Sequence, residues 1–585
     1  MWPLCFRLPY YKKSKFPRYP CYNSQMHDSE AAQASSVRER FAGFIRGRLR
    51  GGWRQIAILP WWAYLALSLP ALIPISAACI VPIMAGEVPT GFVQLDMPYY
   101  MANAREHFDQ GFQLTYGNPY ASYVTPAIYS QPQTLLLALM ERTGLGPGLT
   151  FNIFGLAALL FATFVGVRFY NAYVGLETPA KKLGLVCFFW GGGLLIAAGV
   201  AKCVLTGQFH FGTLMRFDRD NGWWMLNFGR NLVYPTEAYY HGIMLLSLLL
   251  LIRRRFVGSL AMAALLSWSH PFTGLSLALT LVCYSALELA LRSRAVKPSM
   301  LAGSSLIVLC HVAYYLVFLN RFADHRALQN QWTLDWLYRP ATFLPALALV
   351  GLFAALRMWR RAGLKQVMGN PQTRLVLVWF IVVFGLSQHN LIMKPMQPIH
   401  FTHGNDWIAL FILGAPALIA LFERLLSIPA PRLRTFALAL VLAVSMLDNS
   451  VWLIGNAFPS PIRNWIALTQ DQKSVLDWLS KNSAPPVMVV CPDPILSYLV
   501  STYTSVRSWY GHPYNTPWYE QRRSEVNQAF EQERFLPEWS RMHVLYISDR
   551  RADWRPPGHE VGLFQNDTFT VWGQRSDIAG GWPHP

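Results

Sequence analysis

GFVQLDMPYYMANAREHFDQGFQLTYGNPYASYVTPAIY, residues Gly91–Tyr129, follows the first long apolar run of the chain and decides how the rest is read. It carries Asp96, Arg105, Glu106, His107 and Asp109 among many aromatics, a charge density that a lipid-embedded segment does not tolerate. Tyr100, Ala104, His107 and Phe108 fall at helical spacing, which predicts a short amphipathic helix, and the NPY turn at Asn118–Tyr120 breaks it. Two roles suit such a stretch. As an outer loop it places a carboxylate at the water–lipid boundary; as an aromatic belt it lies on the bilayer, anchored by its Tyr and Phe rings.

Outward from this loop, composition sets the class. The chain is 53% hydrophobic and 14% charged, with a mean hydropathy of +0.24. Apolar runs near the roughly 20 residues needed to span a bilayer recur at 59–84, 150–172, 182–203, 236–252, 256–270, 272–291, 299–319, 341–359, 374–389, 406–423 and 433–455. The expected fold is a polytopic α-helical membrane protein with about eleven spans, the pair 256–291 reading as a hairpin broken at HPFTG, His270–Gly274. The formal charge of +19 is spread over short clusters between the runs, which argues against nucleic acid as a partner and for topology signals. The eight cysteines have no disulfide, zinc-ribbon or iron–sulfur spacing.

Orientation follows loop by loop. With the N-terminus inside, the inner loops are Lys181–Lys182, Arg253–Arg255, Arg292–Lys297, Arg357–Lys365 and Arg424–Arg434, all basic as the positive-inside rule demands. The outer loops 85–149, 204–235, 320–340 and 390–405 are mixed in charge. Residues 1–54 read as a basic cytoplasmic tail, in which Met26 is an alternative start, and 55–455 as the transmembrane domain with its long first outer loop 85–149. From 456 to 585 the pattern changes. Amphipathic helix signals at Asp471–Asn482 and from Ile495 alternate with strand signals at Pro486–Cys491, Ser505–Trp509, His543–Ser548 and Thr568–Trp572, predicting a small extracytoplasmic α/β domain with a partly parallel sheet.

The outer face gathers the residues with chemistry. Phe211–Thr236 holds Arg216, Asp218, Arg219, Asp220 and Arg230 beside Trp223 and Trp224, suited to clamping a phosphate and stacking on a sugar, or to a salt-bridged belt loop. Gln388–Asp406 adds His389, Lys394, His400 and His403, whose spacing is neither HxxxH nor HxH, so a phosphate-facing Lys and His pair is expected in preference to a metal site. His270 inside apolar sequence reads as a histidine hydrogen-bonded at a helix break. Walker, GxSxG and strand-linked GxGxxG motifs do not occur, which leaves nucleotide use and serine hydrolysis without support.

LDMPYYMANAREHFDQG followed by NPY, in the first outer loop, resembles the GT-C superfamily of integral-membrane glycosyltransferases. The resemblance implies a cell-membrane enzyme that takes a sugar from a polyprenyl-phosphate-linked donor and passes it to a lipid, glycan or protein acceptor outside. Asp96 matches the family's loop aspartate and would serve as general base in a single displacement with inversion. Arg216, Arg219, Arg230, Lys394 and His400 would hold the donor phosphate. Many members place a second acid beside the first, whereas Met97 follows Asp96 here. No tightly bound metal is therefore expected, a divalent ion stays open, and a second acid would come from Asp218 or Asp220. The segment Tyr510–Pro517, YGHPYNTP, has no role assigned. The main rival is a multi-pass transporter or flippase of lipid-linked saccharides, against which stands the lack of an internal repeat.

Overall fold

Most of the apolar runs become helices that open on a proline, as at Pro147, Pro179, Pro235, Pro271, Pro298, Pro340, Pro371 and Pro431, where the missing N–H has no intrahelical partner to lose. The computed structural model describes residues 58–109, 111–209, 227–331, 336–359, 361–458, 466–550, 554–558 and 562–574. Of its two compact units, Met1–Trp61 and Trp62–Pro585, the second contains the architecture set out below. The tail expected at 1–54 lies outside the described residues.

Among the described residues, eight helices are long and apolar enough to cross a membrane: Trp61–Met84, Pro147–Tyr173, Pro235–Ile252, Pro271–Ala290, Pro298–Arg321, Pro340–Met358, Asn405–Leu426 and Pro431–Ala457. Two bent pairs, Pro179–Trp190 with Leu195–Thr206 and Gly363–Gly369 with Pro371–Ser387, raise the number to ten if each is one span. The remaining run forms the short helix Phe256–Ser269. Its 14 residues rise only about 21 Å, less than the roughly 30 Å hydrocarbon core, so the chain turns back early. The turn is His270, whose imidazole caps the next helix by accepting the Thr273 N–H. This is the hairpin expected at HPFTG.

The run expected as one span at 182–203 is instead broken and bent by 59°. Three successive glycines, Gly191–Gly193, permit the break, and Asp448 holds it open. The Asp448 carboxylate accepts the N–H groups of Gly193, Leu195 and Ile196 at 2.9–3.1 Å, capping the second half-helix. Elsewhere small residues set the packing. A Cβ at Gly155 would stand 2.7 Å from the Pro235 ring, and one at Gly242 2.5 Å from Phe161, so Pro147–Tyr173 and Pro235–Ile252 pack tightly. A buried two-point ion pair, Arg374 to Glu288 at 2.6 and 2.7 Å, ties Pro371–Ser387 to Pro271–Ala290.

The C-terminal part folds around a five-stranded sheet in the order β4-β3-β5-β7-β6. Its strands are β3 (Met488–Val490), β4 (Arg507–Ser508), β5 (Val544–Asp549), β6 (Gly562–Gln565) and β7 (Phe569–Trp572). β3 runs parallel to β4 and β5, while β7 is antiparallel to β5 and β6, the partly parallel sheet that was expected. Strand alternation divides the core. Val489, Leu545 and Ile547 face the helices Gln470–Asn482 and Pro494–Tyr503, and Met488, Val490, Val544 and Tyr546 face Trp509, Trp539 and Trp554. β6 and the polar helix Tyr519–Gln532 lacked a sequence signal; both are exposed along much of their length.

The loop that follows the first long helix is part of this domain. Helix Met97–Asp109 contributes Ala102, and the NPY turn Tyr120, to the core beneath β3 and β5. β1 (Val88–Pro89) pairs antiparallel with β2 (Ala467–Leu468). Arg507 binds Glu106 at 2.6 Å and donates to the carbonyls of Asn118, Ala121 and Tyr123. Tyr116 and Tyr120 do not serve as belt residues: Tyr120 fills the core that the loop shares with the C-terminal domain, and Tyr116 is buried against His107 and Tyr129, while Phe112 and Tyr123 of the same loop stay exposed. Asp109 ends its helix half-buried; burial raises its pKa, and Arg105, Arg507 and Arg142 oppose that rise.

Candidate functional site

Asp96 stands immediately before helix Met97–Asp109, on the wall of a cavity of about 210 Å3. Its Oδ2 accepts the Gln94 side-chain amide at 3.0 Å, and its Oδ1 lies 3.0 Å from His512 Nε2. The tautomer of His512 follows from its other nitrogen. Nδ1 faces the Tyr514 backbone N–H at 3.1 Å and the Asn515 amide at 3.0 Å, both donors, so Nδ1 accepts and Nε2 carries the proton toward Asp96. The Asp96 side chain is 33% exposed and that of His512 2%, so solvent and ligand reach the carboxylate but not the imidazole. Each carboxylate oxygen keeps a further acceptor site. His512 belongs to the YGHPYNTP segment, to which the sequence assigned no role.

Arg230 lines the same cavity. It sits in the four-residue helix Phe228–Asn231, capped by the Asn227 side chain, and is 5% exposed. Its guanidinium lies over the Trp452 ring at 4.5 Å and donates to the Asp448 carbonyl at 3.4 Å, while its Nε has no hydrogen-bond partner among the described residues. Burial pulls its pKa down to about 9, with Asp448 opposing, so the group remains a cation at neutral pH.

The cavity also has a cluster that draws on three segments. His403 Nδ1 lies 3.1 Å from Glu237 Oε2, and His403 Nε2 lies 3.2 Å from His400 Nδ1. His270 completes the group: one ring nitrogen from each of the three histidines lies within 4.8 Å of the others. His241 fastens the helix to the loop, its two nitrogens 2.8 Å from the carbonyl oxygens of Glu237 and His403. The rings are stacked in place, His270 on Tyr240 at 4.7 Å and His400 between Phe272 and Trp336, each at 5.0 Å.

Of the residues singled out from sequence, Asp96, Arg230, His270, His400 and His403 meet in this cavity. Lys394 is exposed and is not among its lining residues. Arg216, Asp218, Arg219 and Asp220 lie outside the described residues. His512, Glu237 and Gln94 were missed. Glu237 had a signal, a carboxylate in the first turn of an apolar helix. The spacing argument against a metal site considered one segment at a time, and it does not hold for a cluster whose third imidazole comes from a different hairpin.

None of the family models matches the chain, and no curated protein does. Among solved structures, the chain is similar to the archaeal oligosaccharyltransferase AglB from Archaeoglobus fulgidus in complex with an inhibitory peptide and a dolichol-phosphate. That match has a TM-score of 0.47 and 11% identity, over 84% of this chain and 69% of that one. A second, the Archaeoglobus fulgidus oligosaccharyltransferase in complex with Zn and sulfate, has a TM-score of 0.46 and 12% identity, over 83% and 67%. At that distance the likeness carries neither a substrate nor a residue role to this chain.

Proposed function

We propose that the protein is a membrane glycosyltransferase that moves a sugar from a polyprenyl-phosphate-linked donor to a hydroxyl-bearing acceptor, on the outer face where the first loop and the C-terminal domain meet. One observation carries the reading: Asp96, the aspartate of the GT-C-like motif, is held by His512 and Gln94 over a cavity that also contains the buried cation Arg230.

The chemistry follows from this placement. The acceptor oxygen attacks the anomeric carbon while its proton passes to Asp96. The bond from the anomeric carbon to the phosphate oxygen breaks, and its electron pair leaves on the lipid phosphate. Arg230 faces the charge that grows on that phosphate, an interaction strongest in the transition state and least screened in a buried site. One displacement inverts the anomeric centre. His512 and Gln94 fix the direction in which the carboxylate accepts.

Transport or flipping of lipid-linked saccharides keeps one observation on its side, the two spans that are broken and bent by 59° and 95°. The two readings separate on covalent chemistry. The purified protein, given a pool of polyprenyl-phosphate-linked sugars and a membrane-envelope extract as acceptor, should release polyprenyl phosphate and form a product of inverted anomeric configuration. Movement of intact donor with no release would establish the transporter, and retained configuration would exclude the single displacement.

A further inference from the structure

We infer that His270, His400 and His403 form a binding site for a borderline divalent transition-metal ion, of the zinc type, in the wall of the Asp96 cavity, with Glu237 orienting His403. The site goes beyond the glycosyl-transfer reading and does not depend on it, since occupancy is measured on the resting protein without donor or acceptor.

The geometry is close to what such an ion requires. Nitrogens bound to zinc at about 2.0–2.1 Å with tetrahedral angles lie about 3.3–3.4 Å apart. His400 Nδ1 and His403 Nε2 are already 3.2 Å apart, and the His270 nitrogen lies within 4.8 Å of both. An ion would draw the third nitrogen inward by up to about 1.5 Å, from at most 4.8 Å to the tetrahedral spacing. Protonation is in order at His403. The Glu237 carboxylate can only accept, so His403 carries its proton on Nδ1 and turns the Nε2 lone pair to the cluster. A carboxylate behind a ligating imidazole fixes the tautomer and raises its basicity. In the structure His270 Nδ1 accepts the Thr273 N–H, so ligation through Nε2 would move the ring proton to Nδ1, which would give up that cap and donate to the Thr273 hydroxyl 2.9 Å away instead.

Two further features point to a built site. The rings are clamped by Tyr240, Phe272 and Trp336, which limits the freedom lost when an ion binds. The loop that presents two of them holds non-glycine residues in the left-handed region, Gln397 at φ 48° and His403 itself at φ 39°. Backbone strain of this kind persists where surrounding structure demands it and collects at functional sites. The donor set selects the ion. Three imidazoles without a thiolate suit zinc or cobalt, whereas magnesium and calcium require oxygen donors. The ligands line the cavity, so a fourth coordination position would open toward the substrate side, as in sites that act on a ligand.

The test uses the full chain, purified through a tag without histidines, stripped with a chelator and titrated with Zn2+ or Co2+. Metal analysis should find about one equivalent per chain, and Co2+ should give the intense visible bands of a tetrahedral centre. The double variant His400→Ala/His403→Ala should lose that equivalent. His270→Asn keeps a capping side chain but no imidazole, so it should fold and yet bind at least tenfold more weakly. Glu237→Gln should weaken binding about 10- to 100-fold. His389→Ala, whose ring faces the Leu386 carbonyl and the Met396 N–H, should bind as the parent does. A folded parent that takes up no stoichiometric metal, or folded His270→Asn and double variants that bind it unchanged, would overturn the site. So would inorganic phosphate binding to the metal-free cluster with Zn2+ and Co2+ excluded.

Discussion

If the acceptor proton goes to Asp96, then Asp96 and His512 act as one unit, and a double-mutant cycle reads their coupling. Asp96→Asn keeps the shape, and its amide oxygen still accepts the His512 Nε2–H, so the pairing at 3.0 Å survives while the proton acceptor is lost. General-base assistance is worth about 10²–10⁴ in rate, or about 2.7–5.4 kcal/mol at 1.36 kcal/mol per decade. His512→Ala leaves the carboxylate but removes one hydrogen bond to a charged group, worth about 1.5–3 kcal/mol. That predicts a loss of about 10- to 150-fold in kcat with little change in donor KM. In the Asp96→Asn background the same change should cost about threefold at most, because no carboxylate remains to be positioned. His512→Gln, which offers a side-chain N–H, should recover part of the loss. The assay is single-turnover release of polyprenyl phosphate by the protein in nanodiscs, followed by mass spectrometry, with elution profile and circular dichroism as folding checks. Full activity in Asp96→Asn would refute the base assignment. Additive losses in the double variant would refute the coupling of His512 to Asp96.

Arg230→Gln should weaken donor use by about 2–5 kcal/mol, since it removes a buried charge from the phosphate, whereas an exposed cation such as Lys394 should cost about 0–1 when replaced by Ala; donor concentration dependence of the release rate distinguishes them. The Glu106–Arg507 pair should give the loop–domain contact a pH dependence. Burial lifts the Glu106 carboxyl above its ordinary 4.5, with Arg507 opposing, so the folded state holds that proton more tightly than the unfolded chain does. Its contribution is then fully present below 4.5 and lost as pH rises through the raised value. Glu106→Gln should flatten this part of the Tm–pH profile. Arg507→Ala should destabilise the protein by about 3–5 kcal/mol at neutral pH and by less in acid, and an unchanged Tm would show that the loop is held by its apolar contacts alone.

The helical membrane class, the positions of the apolar helices and most of the C-terminal sheet were legible in the sequence because they rest on local physics. A run such as Pro147–Tyr173 is apolar whatever its neighbours, and the short continuous run of β-branched and aromatic residues in Val544–Asp549 marks a buried strand by length and composition. Asp96 was legible through a motif, and the break at His270 through a proline inside apolar sequence. What local pattern omits are partners. His512 lies 416 residues from Asp96, and nothing in YGHPYNTP reveals that its imidazole turns toward that carboxylate. Likewise, His400 and His403 meet a third imidazole from His270 of a different hairpin, and Glu237 enters from another helix. Gly191–Gly193 permitted a break in a span, but the carboxylate that fills it is on Asp448. The tertiary structure decided these because a site forms wherever side chains converge in space. Helix packing and the shared core of loop and domain bring them together, and both depend on contacts that no window of sequence contains.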